Sequence, residues 1–189
     1  MGLEFELKYA ANPATLRALA QEFGEFMSIS METTYFDTAK RTLSSQKMTL
    51  RRRFEDGCSV CTLKTPSASY GRGEWDVQTD WSESAVTQLF EAAQRPPVAF
   101  EDLAPVCGAK FIRLAKTLQL PDCTVELALD EGILFGGQKE LPLCEVEVEL
   151  KEGSRDAVIR WASALAQLYG LSAQPGSKFK RALALAEEN

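Results

Sequence analysis

Charged residues recur two apart along this chain, and that spacing places side chains on one face of a strand. Glu4, Glu6 and Lys8 are in phase, as are Arg51 and Arg53, Thr62 and Lys64, and Arg72 and Glu74. Asp130 is in phase with Glu126, and Glu145, Glu147 and Glu149 make a third set. The wet face of an antiparallel sheet also carries charge. Such faces mix residue types, whereas here one strand offers only acids and another only arginines. Three glutamates at this spacing repel one another unless cations or basic partners offset them. Clustered Arg and Lys match a polyanion, because their donors pair with phosphate oxygens. Clustered Glu and Asp match a hard divalent cation. The two together suit a metal–phosphate chain, and a row of basic residues complements the charge of a triphosphate.

The rest of the composition removes other chemistries. The chain of 189 residues contains no histidine. That excludes a Ser-His-Asp or Cys-His nucleophile, a His-ligated zinc site and a phosphohistidine intermediate. The five cysteines are an odd number and scattered. With no signal peptide at the N-terminus, they indicate a reducing, cytoplasmic setting. Cys58 and Cys61 form one C-x-x-C pair without a second, and read as two small residues on a hairpin strand. A formal net charge of −6 argues against sequence-independent nucleic-acid binding, and no sequence-specific nucleic-acid partner is expected. No apolar run is long enough to span a membrane. Glu6 stands where a myristoylation signal needs Ser or Thr.

The elements that must position these residues follow from periodicity. Leu3 to Tyr9 alternates as a strand. Asn12-Pro13 opens a helix that Gly24 ends. Met27 to Phe36 is β-like, and Met48 to Phe54 and Cys58 to Thr65 flank an Asp56-Gly57 hairpin turn. Pro66 to Gly73 is loop-like, with Pro66 to Gly71 either a lid or a connection, and Glu74 to Trp81 is a strand. Ser82 to Ala93 is a helix stopped by Arg95-Pro96-Pro97. Val106 to Leu120 is mostly β, with Phe111 to Leu118 open to a helical reading. Cys123 to Leu129 alternates, Asp130-Glu131-Gly132 turns the chain, and Gly136-Gly137 breaks it again. Leu141 to Leu150 is the cleanest strand, Ser154 to Tyr169 a helix ended by Gly170, and Lys178 to Glu188 a short helix.

The length suits one domain, residues 1–189. Helices segregated between runs of hairpin-linked strands give an α+β class with an antiparallel sheet. If the sheet closes with its apolar side outward, the charges line the inside. A barrel of roughly eight strands has an interior just wide enough for side chains or one small ligand. The expected fold is therefore an antiparallel, roughly eight-stranded β-barrel tunnel with flanking helices.

The motifs resemble those of a known family. Leu3-Glu4-Phe5-Glu6-Leu7-Lys8 resembles the Glu-x-Glu-x-Lys signature of the CYTH superfamily, the triphosphate tunnel metalloenzymes. Thr34 to Thr38, Leu50-Arg51-Arg52-Arg53, Thr62-Leu63-Lys64, Arg72-Gly73-Glu74 and Phe111-Ile112-Arg113 resemble its successive strands, in family order. Leu129 to Gly132, Leu143 to Leu150 and Ser177-Lys178 resemble its late Asp-x-Gly, Glu-x-Glu-x-Glu and closing-lysine segments. Within the superfamily, the late segments look most like the bacterial inorganic triphosphatase branch. That branch often carries a second, all-helical CHAD domain, which a longer form of this chain would hold beyond Asn189.

The resemblance implies roles by position. Glu4, Glu6, Glu145 and Glu147 would hold Mg²⁺ or Mn²⁺, with Glu149 further along the strand. Lys8, Arg51, Arg53, Lys64, Arg72, Arg113 and Lys178 would bind phosphates, with Arg181 at the tunnel mouth. Asp130 and Glu74 would orient the basic residues or a metal-bound water. With Glu4, Glu6 and Lys8, these two make up the expected catalytic set. The implied reaction is metal-dependent hydrolysis of tripolyphosphate to pyrophosphate and phosphate. Relatives acting on thiamine triphosphate, RNA 5′-triphosphates or ATP as adenylate cyclases, and a non-catalytic polyphosphate-binding module, are the alternatives. Cys144 adjoins a ligand candidate but faces the other side of its strand, and reads as packing.

Overall fold

The computed structural model describes residues 2–66 and 72–187, with the side chains at 2–4 and 72 outside the description. The described residues form ten strands and five α-helices. Strands β1 (Gly2–Glu4) and β2 (Glu6–Ala10) lead into α1 (Pro13–Phe23), β3 (Met27–Thr38) and the short α2 (Thr42–Ser45). Next come β4 (Thr49–Glu55), β5 (Cys58–Pro66), β6 (Arg72–Val77) and α3 (Glu83–Ala92). Three long strands follow: β7 (Leu103–Leu120), β8 (Cys123–Gly136) and β9 (Lys139–Gly153). Helix α4 (Arg155–Tyr169), the two-residue β10 (Ser172–Ala173) and α5 (Lys178–Glu187) end the chain.

Local chemistry sets these boundaries. Asn12 caps α1 by accepting from Thr15 N at 2.9 Å, with Pro13 in the first turn. Ser82 and Ser154 cap α3 and α4 in the same way, through Ala85 N and Ala157 N. The β4–β5 hairpin turns on Asp56 and Gly57, with φ of 48° and 85°. Two successive left-handed residues match the twist of the flanking strands.

All strands belong to one antiparallel sheet in the order β1-β6-β5-β4-β3-β7-β8-β9-β2-β10. The expected closed barrel is corrected on this point: the hydrogen-bonded ladder is open, with β1 and β10 at its ends. The strand count is ten rather than about eight. The expected single strand over Leu3 to Tyr9 is broken at Phe5. Residues on its two sides pair with different partners, Glu4 opposite Arg72 of β6 and Glu6 opposite Glu149 of β9. One N-terminal segment thus touches strands from both halves of the sheet, which curls to allow it.

Two further expectations change. Phe111 to Leu118 is strand throughout, inside the 18-residue β7. Asp130-Glu131-Gly132 does not turn the chain but lies within β8, opposite Arg113, Ile112 and Phe111. Gly132 is there for clearance. A Cβ on it would lie 2.2 Å from the Lys110 carbonyl oxygen and 2.5 Å from Phe111 Cα.

The apolar residues sort onto three packing surfaces. Leu16 and Leu19 of α1 and Val158, Ala162 and Leu165 of α4 pack on the outer face of β8 and β9, against Leu127, Leu129, Val146 and Val148. Leu89 and Phe90 of α3 cover Leu50 and Leu63 on the outer face of β4 and β5. Helix α5 lies instead on the inner face, where Ala182 packs with Phe111, Leu134 and Leu143. The inner face is therefore apolar under α5 and charged beyond it.

Candidate functional site

The charged part of the inner face encloses a cavity of about 420 Å³. Alternation within each strand puts Arg51 and Arg53 of β4 inside, while Leu50 points out into the α3 core. Lys64 and Thr62 of β5 and Glu74 and Asp76 of β6 complete one wall. The other wall comes from β2 (Glu6, Lys8), β7 (Arg113) and β9 (Glu147, Glu149, Lys151). Lys178 reaches in from the first turn of α5.

On the first wall, Glu74 lies 3.3 Å from Arg51 and 3.2 Å from Lys64. Thr62 Oγ1 donates to Asp76 at 2.6 Å. Arg53 donates from Nε to Thr33 Oγ1 at 2.9 Å and stands 3.7 Å from the half-buried Glu55. Burial, reinforced by repulsion from Arg51 and Arg113, lowers Arg53 to about 10. This guanidinium is thus short of negative charge.

The second wall is close to neutral. Arg113 grips Asp130 with two hydrogen bonds of 2.8 Å and also donates to Glu147. Lys178 Nζ sits 2.5 Å from Glu145, 2.7 Å from Asp130 and 2.8 Å from Glu147. Arg181 donates to the far oxygen of Glu145. Lys8 pairs with Glu6 at 2.5 Å and lies 3.9 Å from Glu147. Lys151 pairs with Glu149 at 2.9 Å.

Proton affinities follow from these contacts. Burial alone would lower Lys178, but Glu147, Asp130 and Glu145 overcome it and raise it. Arg113 and Lys8 are raised against burial in the same way, chiefly by Glu147. Burial would raise Glu147, yet Lys178, Arg113 and Lys8 hold it well below the usual carboxylate range. Glu145 goes the other way. Burial lifts it to about 7, Glu147 adds to the rise, and Lys178 offsets only part.

Oxygen-only donors fit a hard divalent cation. Glu6 lies directly opposite Glu149 in the β2–β9 register, and both line the cavity with Glu147. Like charges in direct opposition are destabilising, and a cation held by both carboxylates would relieve that. Deeper in, carboxylate oxygens of Asp130, Glu145 and Glu147 come within 4.8 Å of one another. That space already holds the Lys178 ammonium, whereas Glu6, Glu147 and Glu149 face the open cavity, each with a lysine beside it.

Most of the expected site residues are thus brought together. Glu6, Lys8, Arg51, Arg53, Lys64, Glu74, Arg113, Glu147, Glu149 and Lys178 line the cavity, and Asp130 and Glu145 are buried behind it. Arg181 holds Glu145 from α5. The side chains of Glu4 and Arg72 lie outside the description, as do residues 67–71, where a lid or connection is expected. Sequence reasoning missed Asp76, Lys151, Thr33 and Tyr35. Two of these carried a signal, since Asp76 is in phase with Glu74 and Lys151 with Glu149.

The cysteines take no part. Cys58 is exposed and Cys61 buried on opposite faces of β5, so they cannot share a metal. Burial raises Cys61 and Cys144 and pushes Cys107 up to about 12, which keeps these thiols unreactive.

A family model described as the CYTH domain matches residues 2–183. The chain belongs to the CYTH domain family. It is 30% identical over 164 residues to an inorganic triphosphatase of Haemophilus influenzae, covering 80% of this chain and 46% of that one. It thus spans about half the length of this curated relative. Among CYTH-like folds, HpAC1 from Hippeastrum, described as having a dominant triphosphatase activity, superposes with a TM-score of 0.69 at 19% identity. That match covers 99% of this chain and 95% of the other. The PH1819 protein of Pyrococcus horikoshii OT3 gives a TM-score of 0.63 at 21% identity, covering 98% and 99%. At these identities both show the fold. No helix of the described residues is long and apolar enough to cross a membrane.

Proposed function

We propose that this CYTH protein hydrolyses inorganic tripolyphosphate to pyrophosphate and phosphate in the curled-sheet cavity, with Mg²⁺ or Mn²⁺. One observation carries the reading. A single cavity sets the cationic wall of Arg51, Arg53 and Lys64 against a wall that offers Glu6, Glu147 and Glu149. An anion alone needs only the first wall, and a cation alone only the second.

Arg51, Arg53 and Lys64 bind phosphate oxygens and align the chain. Arg53 is the strongest anion seeker, since the protein leaves its charge least answered. Asp130 orients Arg113 through the bidentate pair, and Glu74 sets the spacing of Arg51 and Lys64. Glu6, Glu147 and Glu149 would hold the divalent cation. When bound, it neutralises charge on the phosphate oxygens and makes water a better nucleophile. The oxygen of water bonds to the terminal phosphorus as the bridging P–O bond breaks. Pyrophosphate leaves with the electron pair, and the proton of the water passes to solvent. Fixed cations around the equatorial oxygens stabilise the transition state.

The test is phosphate release from tripolyphosphate, ATP, thiamine triphosphate and pyrophosphate, each with Mg²⁺, Mn²⁺ or EDTA. Fast, metal-dependent release from tripolyphosphate alone is expected. Tripolyphosphate binding without turnover on any substrate would replace this reading with a polyphosphate-binding module. Unchanged activity in Glu6→Lys or Glu147→Lys would overturn the site assignment.

A further inference from the structure

Phe111 lies on the inner face of β7 and is 3% exposed. Three cations from three elements gather around its ring. Lys178 Nζ of α5 stands 5.3 Å from the ring centroid, and the guanidinium carbons of Arg53 on β4 and Arg113 on β7 stand 5.9 Å away. At such distances a ring quadrupole attracts a cation, more so where water is excluded.

The ring is fixed in place. In the lateral register Phe111 lies opposite Met31 on one side and Gly132 on the other, with Leu143 next beyond. Met31 and Leu143 are buried. Gly132 leaves no room for even a methyl group against the Phe111 backbone. The two strands therefore clamp the residue from which the ring projects.

The choice of an aromatic group here has a chemical consequence. A carboxylate in the same place would hold three cations by neutralising them. A ring holds them with no net charge of its own. Arg113 and Lys178 already have close carboxylate partners, whereas among the described residues Arg53 has the Thr33 hydroxyl, a half-buried Glu55 at 3.7 Å and the attraction of Tyr35. For Arg53 the ring supplies attraction while leaving its charge for an incoming anion.

We propose that Phe111 is a positioning residue whose ring holds Arg53, Arg113 and Lys178 at fixed spacing without neutralising them. The proposal rests on reading the cavity as a triphosphate site. It predicts that shape alone does not replace the ring. Phe111→Leu keeps an apolar side chain and is expected to weaken tripolyphosphate binding on the order of ten-fold. Binding is measured by calorimetry in EDTA, so turnover does not enter.

Replacing Phe111 with mono-, di- and trifluorophenylalanine separates shape from electrostatics, because fluorine drains the ring face while barely changing its size. The dissociation constant for tripolyphosphate is expected to rise stepwise with each fluorine. In the anion-free protein, the ¹⁵N resonances of Lys178 Nζ and of Arg53 and Arg113 Nε are expected to shift in the same order. An affinity and a set of resonances that stay flat across the series would overturn the proposal, even if Phe111→Leu is impaired, because the ring would then only fill space. Failure of the wild type to bind tripolyphosphate both in EDTA and with Mg²⁺ would overturn the functional reading instead. The resonances would then decide the proposal alone: progressive shifts uphold it, and unmoved ones overturn it.

Discussion

Glu145→Gln should change how stability depends on pH, and the direction follows from the burial of this carboxyl. Glu145 is fully buried and raised from 4.5 to about 7. A carboxyl raised on folding contributes its stability in full below the unfolded value. That contribution is lost as pH climbs through the folded value. Glu145 therefore weakens the metal-free fold progressively from pH 4.5 up to about 7. The slope is at most one proton, or about 1.4 kcal/mol per pH unit, and integrates to about 3 kcal/mol. Glu147 has the opposite sign, being held low. Its contribution is present throughout this window and is lost only in stronger acid. Glutamine keeps the size and hydrogen-bonding capacity of Glu145 but cannot ionise. Urea unfolding in EDTA at several pH values between 5 and 7.5 measures the effect. The stability of Glu145→Gln relative to wild type should rise by roughly 2–3 kcal/mol across that range. A difference that stays constant with pH would refute the reasoning.

Four other outcomes are expected. Lys178→Met removes the ammonium shared by three buried carboxylates and should cost about 3–5 kcal/mol; calorimetric melting in EDTA should show a drop of many degrees, and a loss below about 1 kcal/mol would contradict the network. Asp130→Asn keeps the shape but loosens the grip on Arg113, so kcat/KM for tripolyphosphate should fall on the order of ten- to a hundred-fold in a steady-state phosphate-release assay. Arg53→Lys should raise KM in the same assay, whereas Arg52→Lys, on the outward face beside Phe54, should leave it unchanged. Gly132→Ala should destabilise by about 1–3 kcal/mol in urea titration, because its methyl group meets the β7 backbone.

Much of this arrangement is legible in the sequence because period two is a local property. The phase of Arg51 with Arg53, and of Glu145 with Glu147 and Glu149, needs only a strand to place each set on one face. Helix ends were legible for a similar reason, since Asn12, Ser82 and Ser154 cap through residues three positions on. What failed was non-local. Asp130-Glu131-Gly132 looks like a turn because Gly after Asp usually allows one. Its glycine instead answers a strand more than twenty positions back, at Phe111 and Lys110. The break at Phe5 cannot be read from alternation that runs straight through it. Lys178 was legible as a basic residue opening a helix. Its seat among Asp130, Glu145 and Glu147 depends on α5 folding onto the inner face of the sheet, which no nearby residue records.

The split allegiance of the N-terminal segment bears on how the molecule comes together. Residues 2–4 wait for β6 and residues 6–10 wait for β9, about three-quarters of the chain away. A ribosome delivers Glu6 and Lys8 early and their partners Glu149 and Glu147 late. Pairings that distant are slow to form, because loop closure precedes any gain from contact. During synthesis β3, β4 and β5 can zip as local hairpins, while the segment bearing Glu6 stays without its neighbours. The two walls of the cavity therefore meet only after β9 has emerged, and any shorter nascent fragment lacks an assembled site.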